Sequence, residues 1–193
     1  MKIIISGAYT IGSYLARLLS RNKQDIVLMD ECSENLEKIS NEADLLTMEG
    51  STTSIKNLKE AGAEDADLFI AVTPDESKNI AACVLAHQLG AKKTVARVDN
   101  PEYVEPSNQE LFHQMGVSSI IYPELLAAKD IINGLKMSWV RQRWDVHDGA
   151  LVMLGIKLRE SCEILDRPLK EISGPDDPYH VVAIKHNDET IIP

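Results

Sequence analysis

Basic residues are scarce in this chain. Twenty lysines and arginines stand against thirty acids, a formal charge of −10. A broad nucleic-acid-binding surface carries the opposite bias, so that class of partner is set aside. Cysteine is scarce as well. Cys32, Cys83 and Cys162 are odd in number, far apart and form no CxxC pair. That excludes a disulfide framework, argues against a zinc site, and fits reduced thiols in a cytoplasmic protein. No apolar stretch reaches the ~18 residues of a bilayer span. The opening run Ile3-Ile4-Ile5 is also too short for the core of a secretion signal. Any service to a membrane process is therefore expected from the cytoplasm, through a partner. No GK[ST] follows a glycine-rich turn, which excludes a P-loop ATPase.

What is present is the composition of a folded domain, with 44% hydrophobic and 26% charged residues among 193. A chain of this length buries roughly 70% of its extended surface and needs no covalent staple. Short apolar runs alternate with helical patterns from the first residue. Strands are expected at 2–6, 25–30, 45–49, 68–73, 94–98 and 119–122. Helices are expected between them, the first with Ile11, Leu15, Leu18 and Leu19 on one face, the others over 33–41, 54–62, 75–89 and 107–116. Continuous apolar strands separated by helices predict an α/β fold, a doubly wound parallel sheet of six strands covered on both faces.

The rhythm then changes. Residues 124–144 read as one long helix carrying Leu125, Leu126, Ile131, Ile132, Leu135, Trp139, Val140 and Trp144. Such a helix needs a cover, either its own domain or a second copy of the chain. Beyond a turn at Asp148-Gly149, strands at 150–157 and 180–186 around a short helix at 167–171 suggest a small α+β subdomain. The organisation expected is a nucleotide-binding domain over 1–123, a linker or dimerisation helix over 124–146, and a subdomain over 147–193 that continues past Pro193.

The candidate chemistry lies at the strand ends, where open α/β sheets bind ligands. The first strand runs into Gly7-Ala8-Tyr9-Thr10-Ile11-Gly12, the GxGxxG position of a Rossmann-like dinucleotide-binding unit with Tyr9 in place of the middle glycine. Gly7 suits the tight turn and Gly12 close helix packing, while the helix start offers unpaired N–H groups to a phosphate. Asp30 ends the second strand, 23 residues beyond Gly7, where a carboxylate can hold the hydroxyls of an adenosine ribose. Glu31 beside it disfavours a 2′-phosphate. Ser51 and Thr52 follow the third strand, and Thr73 and Pro74 the fourth. Arg97 is a lone arginine in an apolar strand, and it requires an anion. That anion is either a ligand phosphate or an acid such as Asp99 or Asp75.

The segments Lys2–Gly12, Asp30, Ala66–Thr73, Asp75–Ile80 and Ala96–Val98 together resemble the RCK domain, the regulator of potassium conductance. The similarity covers residues 1 to about 135 well and continues less specifically to Pro193. It implies a regulatory subunit rather than an enzyme, one that binds NAD, NADH or ATP/ADP at the strand ends. It also implies homodimers paired through the long helix and a ring beneath an integral-membrane potassium transporter or channel subunit, on the inner face of the cell membrane. By position, Gly7, Ala8, Tyr9, Thr10 and Ile11 would surround the phosphates and Asp30 the ribose. Ser51 and Thr52 would lie beside adenine, Thr73 and Pro74 would line the cleft, and Arg97 would meet phosphate. Glu124 would face a partner's nucleotide.

Tyr9 departs from this pattern, since its side chain takes room that a pyrophosphate uses. Weakened binding, shifted binding, or a site lost altogether is the expectation attached to it. The other alternative is a small NAD-dependent oxidoreductase, which needs a proton-transfer group. No tyrosine has a lysine four residues on, His87 and His113 fall in helices where packing or surface is the expected role, and His147, His180 and His186 carry no recognisable acidic partner motif.

Overall fold

The computed structural model describes residues 1–22, 24–136, 140–147, 150–159, 162–174, 176–186 and 189–193. The alternation expected from the sequence appears as strand β1 (Lys2–Ser6), helix α1 (Thr10–Ser20), β2 (Asp25–Asp30), α2 (Ser33–Ser40), β3 (Leu46–Glu49) and α3 (Ile55–Glu60). It continues with β4 (Leu68–Ala71), α4 (Glu76–Leu89), β5 (Thr94–Arg97), α5 (Pro106–Gln114), β6 (Ser119–Ile121) and α6 (Pro123–Lys136). The six strands form one sheet in the order β3-β2-β1-β4-β5-β6, with every pairing parallel. The order reverses at the β1–β4 boundary, which makes that boundary the switch point of a Rossmann-like sheet.

Side chains alternate across β1. Ile3 and Ile5 belong to one buried cluster with Leu28, Ala16, Leu36 and Ile39, beneath α1 and α2. Ile4 belongs to the other, with Phe69, Leu58, Ala82, Cys83 and Phe112 beneath α3, α4 and α5. A strand apolar on both faces needs helices on both, and this sheet has them. Leu15 and Leu19 carry the contact of α1 with the sheet, whereas Ile11 and Leu18 are 36% and 45% exposed. The small Gly12 and Ala16 replace them on the buried side.

The long helix expected over 124–144 is shorter. Helix α6 ends at Lys136, and Val140–Val146 is strand β7, paired antiparallel with β8 (Leu151–Ile156). Val140 and Trp144 are four apart, as on a helix face, but with Val146 they also fit a two-residue period. Pairing with β8 decides for the strand. Trp139 and the turn expected at Asp148-Gly149 lie outside the described residues. Farther on, the expected 167–171 helix is α7 (Leu169–Ile172). The expected 180–186 strand shrinks to β9 (Ile184–His186), which pairs antiparallel with β10 (Glu189–Ile191). The chain divides into two compact units, Met1–Ile131 and Ile132–Pro193.

Candidate functional site

Because all six strands are parallel, their carboxyl ends share one edge. At its centre β1 ends at Ser6, paired with Met29 of β2, the residue before Asp30, and with Ala71 of β4. The chain then turns at Gly7, held by its N–H on the Met29 carbonyl at 2.8 Å. Gly7 has φ +105°, and a Cβ there would lie 2.8 Å from the Thr73 nitrogen. A side chain is excluded on both counts. At Gly12 a Cβ would collide with the Gly7 carbonyl, so both outer positions of the motif need glycine. The middle one does not. Tyr9 caps α1 with φ −77° and ψ −170°, an extended conformation open to any residue, and it makes no side-chain capping bond. Tyr9 is 49% exposed.

Asp30 is 4% exposed, and its carboxylate is built into the turn. Oδ2 accepts from the Ala8 N–H at 2.6 Å and Oδ1 from the Cys32 N–H at 2.9 Å. Each oxygen keeps a further lone pair that a hydroxyl can use. On the β3 side, the Gly50 N–H donates to the Asp30 carbonyl at 2.9 Å, and Ser51 Oγ lies 3.3 Å from Thr53 Oγ1. Thr52 is 2% exposed and its hydroxyl has no partner.

On the β4 side the organising residue is Asn79, which sequence reasoning did not single out. Its Oδ1 accepts from the Thr73 N–H at 2.9 Å and from the Thr73 hydroxyl at 2.7 Å. Its Nδ2 donates to the carbonyls of Thr73 and Arg97, both at 2.9 Å. The available signal was a single amide on the buried stripe of α4, among Ala82, Cys83 and Ala86, because buried polar groups carry partners. Asp75 fixes the start of α4 by accepting from the N–H groups of Ser77 and Lys78 at 2.9 and 3.1 Å. Pro74, between them, is exposed.

Arg97 is paired with acids. Its Nη2 lies 2.7 Å from Asp99 Oδ1 and 3.6 Å from Glu124 Oε1, and Nη1 donates to the Thr73 carbonyl at 3.4 Å. The Asp99 alternative is thus realised in this structure, and Glu124 faces an arginine of its own chain. The guanidinium Nε is buried without a partner.

A second ion pair was not anticipated. Lys78 Nζ lies 3.1 and 3.0 Å from the two carboxylate oxygens of Glu31. Hydrogen bonding to Lys78 holds the Glu31 carboxyl below its ordinary value, and the same bond raises the Lys78 ammonium.

The expected residues form a connected rim: Arg97 to Thr73, Thr73 against Gly7, Ala8 to Asp30, and Asp30 to Gly50 beside Ser51 and Thr52. Thr10 and Ile11 are exposed at the start of α1. Two hollows lie elsewhere, one of 140 Å³ against Phe112 and Ile120 and an open apolar groove of 520 Å³ along Ile80, Val84 and Met115. Among the described residues no group of three His, Cys, Asp or Glu is placed to hold a metal ion, and no helix is long and apolar enough to cross a membrane.

The sequence model of the TrkA-N domain family matches residues 3–123. A Trk system potassium uptake protein TrkA homolog of Methanothermobacter thermautotrophicus is 30% identical over 193 residues, which is all of this chain and 86% of the relative. A TrkA homolog of Archaeoglobus fulgidus is 28% identical over the whole chain, which spans only 43% of that relative's length. Among solved structures, the GsuK channel bound to NAD superposes with a TM-score of 0.53 at 19% identity, over 62% of this chain and 21% of its own. GsuK bound to ADP gives 0.52 at 19%, over 62% and 30%. At that identity the likeness shows the fold.

Proposed function

The chain belongs to the TrkA-N family, and from that membership we propose that it is a nucleotide-sensing regulatory subunit of a potassium uptake system. The ligand is NAD, NADH or an adenine nucleotide such as ADP or ATP, bound along the carboxyl edge of the sheet. Its diphosphate lies over Gly7, Ala8, Tyr9, Thr10, Ile11 and Gly12, at the amino end of α1, where backbone N–H groups and the helix dipole favour an anion. Asp30 takes the ribose hydroxyls with its remaining lone pairs. Ser51 and Thr52 flank the adenine, Thr73 and Pro74 line the cleft, and Arg97 exchanges an acid for a phosphate.

The observation that carries this reading is the connected rim. Asp30 is bonded to the glycine turn through Ala8 at 2.6 Å, and the turn abuts Thr73, whose carbonyl Arg97 reaches at 3.4 Å. An acid for the sugar end and a cation for the phosphate end therefore flank one turn. The relatives named for potassium uptake, and the GsuK channel solved with NAD and with ADP, support the ligand class and the transport setting.

The subunit acts from the cytoplasm on an integral-membrane transporter or channel partner. Leu125 and Leu126 of α6 are 36% and 51% exposed, and a second copy of the chain covers them in a dimer that builds a larger ring. Regulation requires that the ligand bind two arrangements of the paired domains unequally, because equal affinity shifts nothing. Calorimetric titration with NAD, NADH, ADP and ATP tests the reading. Saturable binding of at least one is expected, and no heat with any of the four overturns it.

One observation favours a second reading, a structural domain whose site has decayed. Both Asp30 oxygens and the Arg97 guanidinium already have partners within the chain. A melting temperature unmoved by all four nucleotides would favour it. Turnover of NADH with any of a panel of carbonyl substrates would instead revive the oxidoreductase.

A further inference from the structure

Glu31 and Lys78 come from opposite sides of β1. Glu31 follows β2 directly and Lys78 sits in the first turn of α4, after β4, and these two strands flank β1 in the sheet. Their side chains meet through both carboxylate oxygens, at 3.1 and 3.0 Å. The pair therefore bridges the sheet edge at β1, whose end is the turn proposed above to hold a diphosphate. The Tyr9 phenol also acts electrostatically on the Lys78 ammonium, more weakly than Glu31 does.

We propose that Lys78 is a ligand-phosphate contact held in reserve by Glu31, so that an incoming phosphate displaces the carboxylate from the ammonium. The inference rests on the nucleotide reading of the site.

Three features carry it. The pair is 42% and 50% exposed, and ion pairs in that setting are weak and exchange readily. An ammonium is a compact point charge on a flexible stem, suited to changing from a carboxylate to a phosphate without precise geometry. The other charges named along this edge are already engaged. Arg97 is engaged by Asp99 and Glu124, and Asp30 and Asp75 are bonded to backbone N–H groups. Lys78 adds the positive charge that a diphosphate needs where Tyr9 stands in place of the middle glycine.

The test is a double-mutant cycle by calorimetry, with ADP and adenosine titrated into the wild-type chain, Glu31→Gln, Lys78→Gln and the double variant. Lys78→Gln weakens ADP about tenfold and leaves adenosine unchanged. Glu31→Gln strengthens ADP roughly two- to fivefold, and the gain disappears in the Lys78→Gln background. ADP affinity unaltered by Lys78→Gln overturns the proposal alone, as does a Glu31→Gln gain that persists in the double variant. Lowered melting temperatures with unaltered ADP affinity would make the pair a structural strap and equally overturn it. Failure of ADP to bind both the wild type and Glu31→Gln would remove the site reading together with the proposal.

Discussion

The carboxamide of Asn79 brackets the backbone of Thr73, accepting from its N–H and donating to its carbonyl, each at 2.9 Å. The same amide reaches the Arg97 carbonyl at 2.9 Å, so one side chain ties the end of β4 to the end of β5. Asn79→Ala takes the buried acceptor from the Thr73 N–H and the amide donor from the Thr73 and Arg97 carbonyls, and destabilises the chain by about 2–4 kcal/mol. Denaturant unfolding measures this, and a loss within about 0.5 kcal/mol would contradict it.

Tyr9 has an ordinary extended backbone, so its replacement relieves no strain. Tyr9→Gly therefore changes stability by only a few tenths of a kcal/mol, since glycine is tolerated at a helix N-cap. It frees the space above the turn, and ADP and NAD bind it more tightly than the wild type. Equal affinities in calorimetry would remove the ring as an obstacle.

Asp67 guards the start of the β1–β4 pairing. Its carboxylate accepts from Lys92 Nζ at 2.7 Å and from the Lys2 N–H at 2.9 Å. The Lys92 bond, then the Lys2 bond, holds its pKa below the ordinary 3.8. The stabilisation is therefore fully present above the unfolded value and lost as pH falls through the lower folded one. Lys92 is raised by the same contact, so its share persists through neutral pH and is lost only as pH rises through its folded pKa, above the ordinary 10.5. Asp67→Asn should flatten the acid limb of the stability curve. An unchanged acid limb would contradict this.

Cys83 lies in the core under α4, where burial pushes its thiol up to about 12. A thiol-specific reagent at pH 8 should leave it unmodified in the folded chain while Cys32 and Cys162, both partly exposed, react. Peptide mass spectrometry distinguishes the three. Labelling of Cys83 at the rate of Cys32 would contradict its burial.

Much of the sheet was legible because parallel strands buried on both faces leave continuous apolar runs such as Leu68–Ala71, and turns punctuate them. The glycines at 7 and 12 were legible for the same kind of reason, since each answers a steric demand of a strand–turn–helix unit. Val140 and Trp144 misled because their spacing satisfies two periods, and the choice between them is made by a partner strand. The Glu31–Lys78 pair spans 47 residues of sequence and exists only because topology places β2 and β4 on either side of β1. Asp30 shows a subtler limit. Its position announced a carboxylate at the strand end, but a bond to Ala8 and a bond to a ribose call for the same residue at the same place.

A crystal structure of the chain grown with ADP tests the central claim most directly. The account predicts the diphosphate over the Gly7–Gly12 turn, a ribose hydroxyl on the Asp30 carboxylate and a phosphate oxygen within hydrogen-bond distance of Arg97. ADP density at any other surface, with Asp30 and Arg97 bonded only within the chain, would contradict it.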